Sequence, residues 1–174
     1  MDGAAFVFID ETFATTNMTR RYGWAPCGRR VVDATPQGHW KITTFVAGLR
    51  HDGIIAPCVI NGAMTGGIFK AYIEQFLAPA LRPEDVVVMD NLAAHKVVGI
   101  EEAIRAAGAS ILYLPPYSPD LNPIEQVFAK LKALLRKTRA RTREALWTAI
   151  GDHLARFSAE ECANYIRNSG YEFA

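Results

Sequence analysis

The first third of the chain carries short apolar runs of the kind that form β-strands. Residues 5–9 are apolar throughout and lead to Asp10, a pattern typical of a buried central strand. Two further β-rich runs, 39–49 and 53–61, are joined by an Asp-Gly pair, which favours a tight hairpin. Between the first run and this hairpin, the segment 29–34 is predicted to add a short strand.

The rest of the chain alternates helical and strand patterns. Apolar spacing predicts, in order, a helix at 68–78, a strand at 86–90, a helix at 97–107 and a strand at 110–114. A proline-rich segment then leads into an amphipathic helix, and two further helices are predicted to begin after Thr142 and Ser158. Antiparallel strands followed by alternating helices and strands predict an α/β domain with a mixed sheet and right-handed crossovers.

Length and composition favour one compact domain and exclude several classes of protein. The chain has 174 residues, of which 50% are apolar and 21% are charged, an ordinary globular balance. No apolar run approaches the roughly 18 residues of a membrane span, and the first residues lack the basic region of a signal peptide. Three widely spaced cysteines without a CxxC pair argue against structural zinc and a disulfide framework, so we expect a reducing, cytoplasmic setting.

Three carboxylates stand where strands end or a helix begins. Asp10 ends the first strand run, Asp90 ends the strand at 86–90, and Glu125 opens the amphipathic helix. Carboxylate oxygens without histidine or cysteine form a hard-ligand site that suits Mg²⁺ or Mn²⁺. Two such ions can clamp the attacking and leaving oxygens of phosphoryl transfer on nucleic acid.

The two aspartates also have structural interpretations. Asp90 could simply cap the turn that follows its strand. Glu11 follows Asp10 directly, and strand alternation sends the two side chains to opposite faces, so only one of them can join Asp90. We predict that Asp10 is the metal ligand and that Glu11 forms an ion pair at the strand end.

Glu125 has the strongest alternative interpretation, because Asn122 and Glu125 match the N-cap and N3 positions of a capped helix. On a helical wheel, however, Glu125 lies away from the apolar stripe and shares a face with Lys132 and Arg136. A metal-binding carboxylate followed by two phosphate-binding cations favours the functional interpretation. Asp120 is the alternative third ligand, in a Ser-Pro-Asp setting typical of turns.

Basic residues are unevenly distributed although the net charge is only +1. The stretch 129–143 holds seven basic residues and no acid, and a second basic group surrounds Tyr22 and Trp24. These could be solvated surfaces, but beside a carboxylate site a phosphate-binding track is favoured. His95 is expected either to contact substrate phosphate or to support Asp90, with the supporting role favoured. The candidate DNA-contact residues are Arg20, Arg21, Arg29, Arg30, His95, Lys130, Lys132, Arg136, Lys137, Arg139 and Arg141.

Four segments resemble the catalytic domain of mariner-superfamily transposases, and within these the bacterial insertion-sequence 630 family. They are Phe8-Ile9-Asp10-Glu11-Thr12, Gly23-Trp24-Ala25-Pro26, Met89-Asp90-Asn91 with His95, and Leu114-Pro115-Pro116-Tyr117-Ser118-Pro119-Asp120-Leu121-Asn122-Pro123-Ile124-Glu125. The last segment is highly specific, whereas Asp-Glu-Thr alone would be weak. The resemblance extends over almost the whole chain.

This resemblance implies a ribonuclease-H-like fold: a central five-stranded mixed sheet, three antiparallel strands followed by two parallel ones, with helices on both faces. It implies a catalytic, metal-binding triad at Asp10, Asp90 and Glu125 and two Mg²⁺ or Mn²⁺ ions. The implied reactions are strand cleavage at transposon ends and strand transfer into target DNA, carried out by a homodimer on DNA. Residues 1–174 would form a single catalytic domain, with a core at 5–140 and C-terminal helices at 141–174.

One departure from the family concerns the N-terminal helix-turn-helix region that reads the terminal repeats. This chain begins at the first catalytic strand, so we expect it to need such a region or a separate reading-frame product as a partner. A split reading frame, a decayed copy and an excised domain all stay open as origins. Two alternative functions also stay open: another ribonuclease-H-like nuclease, and a catalytically silent remnant that serves as a DNA-binding or interaction module. We expect a bacterial cytoplasmic protein that is nucleoid-associated when bound to DNA.

Overall fold

A computed structural model describes residues 6–116 and 118–171, which form a five-stranded mixed sheet. The strands are β1 (Phe6–Thr15), β2 (Ile42–Arg50), β3 (Gly53–Asn61), β4 (Val86–Met89) and β5 (Ser110–Tyr113). Their order in the sheet is β3-β2-β1-β4-β5. The first three strands pair antiparallel, whereas β4 pairs parallel with both β1 and β5. β1 is therefore the strand at which the direction of pairing changes.

The described residues also contain five α-helices. They are α1 (Gly66–Tyr72), α2 (Ile100–Ala106), α3 (Ile124–Thr138), α4 (Arg143–Leu154) and α5 (Ala159–Asn168). α1 continues into a π-helical turn, Ile73–Leu77, and a 3₁₀ turn, Ala78–Ala80. The predicted starts of α4 and α5 are confirmed, because the side chains of Thr142 and Ser158 accept hydrogen bonds from the third backbone N–H after them.

The sheet separates two apolar layers, because successive residues of a strand point to opposite faces. On one face, Phe8 of β1 and Val88 of β4 pack with Phe128 of α3 and with α4 and α5. On the other face, Ile9 packs with Phe69 of α1 and with α2. Both neighbours in β1 are fully buried, which explains the unbroken apolar run at the start of the chain.

The predicted fold class and the order of strands and helices are confirmed, but two local predictions are corrected. β1 continues five residues past Asp10 to Thr15, because β2 remains paired with it along this length. The predicted strand at 29–34 is wrong: residues 16–41, all of which the structure describes, contain no helix or strand. This segment, called the 16–41 loop below, is held by hydrogen bonds and an ion pair to the end of α3 rather than by strand pairing.

Among the residues that the structure describes, no helix has both the length and the apolar character needed to cross a membrane.

Candidate active site

Asp10 and Asp90 lie level with each other on neighbouring parallel strands. The last paired residues of β1 and β4 are Phe8 and Val88. Each aspartate follows its paired residue by two positions, so alternation sends both carboxylates to the face on which α3 packs. Beyond this point β1 pairs only with β2, which opens a crevice at the carboxyl end of β4.

The carboxylate of Asp10 is held by two hydrogen bonds. The backbone N–H of Glu11 donates to Oδ1 at 2.8 Å, and Nδ2 of Asn122 donates to Oδ2 at 3.1 Å. Burial raises the pKa of Asp10 to about 7, against the effect of the Glu11 N–H, and the charges of Glu11, Asp90 and Glu125 raise it further. Asp10 therefore lies in a cluster of carboxylates whose mutual repulsion a bound cation would relieve.

α3 brings Glu125 to this cluster from its first turn. The helix begins at Ile124, and among the described residues no side chain caps it. The alternative interpretation, a helix cap by Asn122, is wrong, because this side chain is buried and hydrogen-bonds Asp10 instead. Glu125 itself stays exposed, and its charge reaches Asp10.

Asp10, Asp90 and Glu125 line one cleft with a volume of about 360 Å³. Its other lining residues are mostly apolar: Asn91, Leu92, Leu114, Pro115, Pro116, Ser118, Pro119 and Asn122. Asp120, the alternative third ligand, lines a neighbouring groove that also borders Glu125. The structure thus brings the three predicted carboxylates to a common cleft and leaves Asp120 outside it.

The donor set of this cleft suits a divalent cation that keeps part of its hydration shell. Within residues 6–116 and 118–171, no three His, Cys, Asp or Glu side chains are close enough to hold a metal ion as a closed protein site. Mg²⁺, however, is usually bound through one or two carboxylates, with water and substrate phosphate as its other ligands. The three carboxylates of the cleft are therefore suited to an ion that keeps water among its ligands.

His95 lies buried beside Asp90, in the 3₁₀ turn Ala93–Lys96. Its Nδ1 is 2.5 Å from Oδ1 of Asp90, its Nε2 is 3.1 Å from Oε2 of Glu11, and its ring stacks on Phe69 at 4.2 Å between centroids. Burial lowers the pKa of His95, but the two carboxylates more than offset this and raise it to about 9. The buried ring does not support the predicted DNA contact, and its position favours the alternative, support of Asp90.

Three of the predicted DNA-contact residues, Arg21, Lys132 and Arg136, lie close together, and Lys132 is near Glu125. Burial lowers the pKa of Lys132, Glu125 raises it, and Arg136 and Arg21 lower it again. Burial and Arg21 also lower the pKa of Arg136. Such shifts show that the three cations lie close to one another, and the effect of Glu125 on Lys132 shows that Lys132 lies near the cleft. The helix face predicted from the wheel is therefore present in the structure.

Lys130, in contrast, is used within the protein. Its Nζ contacts both carboxylate oxygens of Glu161, at 2.6 and 2.7 Å, and donates to the carbonyl of Arg156 at 2.8 Å. Lys130 therefore joins α3 to α5, and the structure does not support it as a phosphate contact. Four other members of the predicted set are exposed: Arg20, Arg29, Arg30 and Lys137.

Two arginines fasten the 16–41 loop to the end of α3. Arg139 forms an ion pair with Asp33 of the loop. Nη1 of Arg141 donates to the carbonyls of Thr16 and Met18, at 3.2 and 3.0 Å. Both predicted DNA contacts are thus already engaged in intramolecular contacts, which place the basic loop next to α3.

Sequence reasoning missed how the site is supported. Asn122 holds Asp10 across 112 residues of chain, and Glu11 meets His95 across 84. Partners this far apart leave no local pattern. The one sequence signal for the role of Glu11 was strand alternation, which predicts that its side chain lies on the face opposite Asp10. On that face the structure shows Glu11 paired with His95.

Solved structures of Mos1 transposase share this fold. The Mos1 mariner paired-end complex with Mg matches with a TM-score of 0.77 and 18% identity, over 99% of this chain and 57% of that chain. The Mos1 strand transfer complex gives 0.74 and 17%, over 98% and 56%. The Mos1 catalytic domain alone gives 0.69 and 14%, over 96% and 78%. This chain therefore spans little more than half the length of the Mos1 chains in the complexes.

Family assignment rests on the sequence itself. Among curated protein sequences, none matches this chain. The model of the DDE superfamily endonuclease family matches residues 5–147, which include all three carboxylates of the cleft. Since this match covers most of the sequence, the chain belongs to the DDE superfamily endonuclease family.

Proposed function

We propose that this chain is the catalytic domain of a mariner-superfamily DNA transposase of the insertion-sequence 630 type. It would cleave DNA strands at transposon ends and transfer them to target DNA. The observation that carries this proposal is the cleft shared by Asp10, Asp90 and Glu125, in a family member whose fold matches Mos1 transposase. Both reactions are in-line displacements at phosphorus.

The three carboxylates would serve as metal ligands. Mos1 paired-end complexes contain Mg or Mn, which supports the same requirement here. Two bound ions would activate the attacking water or 3′-hydroxyl and stabilise the leaving oxygen. The protein positions the donors: β1 and β4 deliver Asp10 and Asp90, α3 delivers Glu125, and Asn122 holds Oδ2 of Asp10.

The cations near the cleft would form a binding surface for the DNA backbone. Arg21, Lys132 and Arg136 would contact phosphates that flank the reacting one, next to Glu125. Phosphate contacts position DNA but do not read its sequence. Recognition of terminal repeats would therefore depend on a helix-turn-helix region or a separate reading-frame product. The paired-end complexes of Mos1 support a homodimer on DNA.

Nicking of supercoiled plasmid tests the proposed reaction. The unsubstituted chain is expected to convert supercoiled plasmid to open circles with Mn²⁺ or Mg²⁺ and not with EDTA. Asp90→Asn and Glu125→Gln are expected to lower the nicking rate about 100-fold or more, because each removes a metal ligand. The rate is measured by agarose gel over time, after the variants are shown to be folded by circular dichroism.

Asp120→Asn is the matched control, since Asp120 lies close in sequence to Glu125 but outside the cleft. Its nicking rate is expected to stay within about twofold of the parent. Equal nicking by Asp90→Asn and its parent would show that another site, or a contaminant, cuts the plasmid. A folded parent that neither binds a divalent metal nor nicks the plasmid would contradict the proposal directly.

A further inference from the structure

Glu11 connects the two aspartates of the cleft although its side chain points to the opposite face of the sheet. Its backbone N–H donates to Oδ1 of Asp10, and its Oε2 lies 3.1 Å from Nε2 of His95. The other ring nitrogen of His95 lies 2.5 Å from Oδ1 of Asp90. One continuous chain of contacts therefore runs from Asp10 through Glu11 and His95 to Asp90.

Both contacts to Asp90 fall on the same oxygen. Oδ1 accepts a hydrogen bond from the backbone N–H of Leu92 at 3.2 Å, and it also faces His95. These contacts restrain the carboxylate of Asp90, which lines the cleft. We propose that Glu11 and His95 form a positioning pair that orients Asp90 relative to Asp10 for divalent metal binding. This inference rests on the proposed function of the cleft.

Packing alone does not explain the pair. His95 is fully buried against Phe69, in an apolar layer where an aliphatic or aromatic side chain would pack equally well. Burying an imidazole between two carboxylates carries a desolvation penalty, and such groups are often no more stabilising than apolar replacements. A role in fixing Asp90 accounts for a polar residue at this position.

The pair is tested by Mn²⁺ binding to the whole chain without DNA, measured by isothermal titration calorimetry. Glu11→Gln and His95→Gln are expected to weaken Mn²⁺ binding about tenfold, because partners of metal-ligating carboxylates typically contribute that much. Neither residue lines the cleft, so neither substitution removes a ligand. His95→Phe preserves the stack on Phe69 and is expected to weaken binding at least as much.

The matched controls are Glu102→Gln on α2 and His39→Gln in the 16–41 loop, both exposed and outside the network. Their Mn²⁺ affinities are expected to equal that of the parent. In nicking assays, Glu11→Gln is expected to raise the Mn²⁺ concentration for half-maximal rate about tenfold while leaving the KM for plasmid unchanged. A purely structural role would instead lower the melting temperature and leave both quantities unaltered.

The outcomes separate this inference from the proposed function. Parent-like Mn²⁺ affinity in folded Glu11→Gln and His95→Gln would overturn the positioning pair and leave the metal site intact. If the parent itself binds no Mn²⁺, both the metal site and the pair are overturned. If the His95 variants fail to fold, the Mn²⁺ affinity of Glu11→Gln tests the inference by itself. This variant is expected to fold, because the Glu11 side chain is partly exposed and glutamine has nearly the same shape.

Discussion

Asn122 helps to fix the geometry of Asp10 from a distant part of the chain. It is buried, and its Nδ2 donates to Oδ2 of Asp10 at 3.1 Å. Burial, with a smaller contribution from the charges of Glu11, Asp90 and Glu125, raises the pKa of Asp10 to about 7. A neutral amide can hold Asp10 without cancelling the negative potential that attracts a cation.

Asn122→Ala is expected to destabilise the protein by about 1.5–3 kcal/mol, the usual value for a hydrogen bond to a charged group. The loss is measured as the change in free energy of unfolding in urea without metal. Asn168→Ala is the control, because the exposed Asn168 makes a comparable hydrogen bond to Gln126 on the surface. It is expected to change stability by less than about 0.5 kcal/mol. Equal losses of unfolding free energy in the two variants would show that the hydrogen bond to Asp10 contributes no more to stability than a surface hydrogen bond.

The three carboxylates could be predicted from sequence, whereas their supporting residues could not. Asp10 and Asp90 follow apolar strands, and Glu125 opens an amphipathic helix, so each carries a local signal. Asn122 carries a misleading local signal, since Asn before Pro is typical of a helix cap. Tertiary structure overrides that signal, because Asp10 lies close enough to take the amide instead.

α3 combines two roles on different faces. Glu125 lines the cleft, Lys132 lies near it and Arg136 lies near Lys132, while Lys130 points to α5. There Lys130 pairs with Glu161, whose carboxylate also accepts a hydrogen bond from Tyr165 at 2.6 Å. Lys130 therefore holds two helices together, whereas Lys132 and Arg136 are the cations that we propose contact DNA. The run of basic residues in the sequence does not reveal this difference.

Glu161→Gln is expected to weaken the α3–α5 contact in a pH-dependent way. Burial raises the pKa of Glu161, but Lys130 and Tyr165 more than offset this and hold it below its usual 4.5. Because the folded-state pKa is the lower one, Glu161 stabilises the protein fully above 4.5 and loses this effect as the pH falls through the folded value.

Urea unfolding of the parent and of Glu161→Gln at several pH values measures this effect. The variant is expected to be less stable at neutral pH and to converge with the parent as the pH falls through the folded-state pKa of Glu161. Glu160→Gln, one residue earlier in the exposed first turn of α5, serves as the control. A stability gap that is the same at every pH would mean that the charge of Glu161 contributes nothing.

At the scale of the whole molecule, the order of elements was predictable and the path of the 16–41 loop was not. Strand and helix periodicities are local, and a mixed α/β sheet follows from their order. The loop contains β-branched residues that resemble a strand at 29–34, but these residues pair with no strand of the sheet. It is held instead through Arg139 and Arg141, which brings Arg21 toward α3.

That arrangement concentrates positive charge on one side of a protein whose net charge is only +1. We expect the chain alone to bind duplex DNA weakly and without sequence preference. A double variant, Lys132→Ala with Arg136→Ala, is expected to reduce the slope of log K against log salt by about 1.8, or about 0.9 for each lost phosphate contact. Fluorescence anisotropy with labelled duplexes of different sequence, at several salt concentrations, measures both affinity and slope.

Arg105→Ala is the matched control for this double variant. Arg105 lies on α2, which packs on the opposite face of the sheet from α3, and it pairs with Glu101. Its removal is expected to leave the salt slope unchanged, because a cation away from the cleft contacts no phosphate. An unchanged slope in the double variant, or salt-independent affinity for one particular duplex, would show that DNA binds elsewhere or is read by its bases.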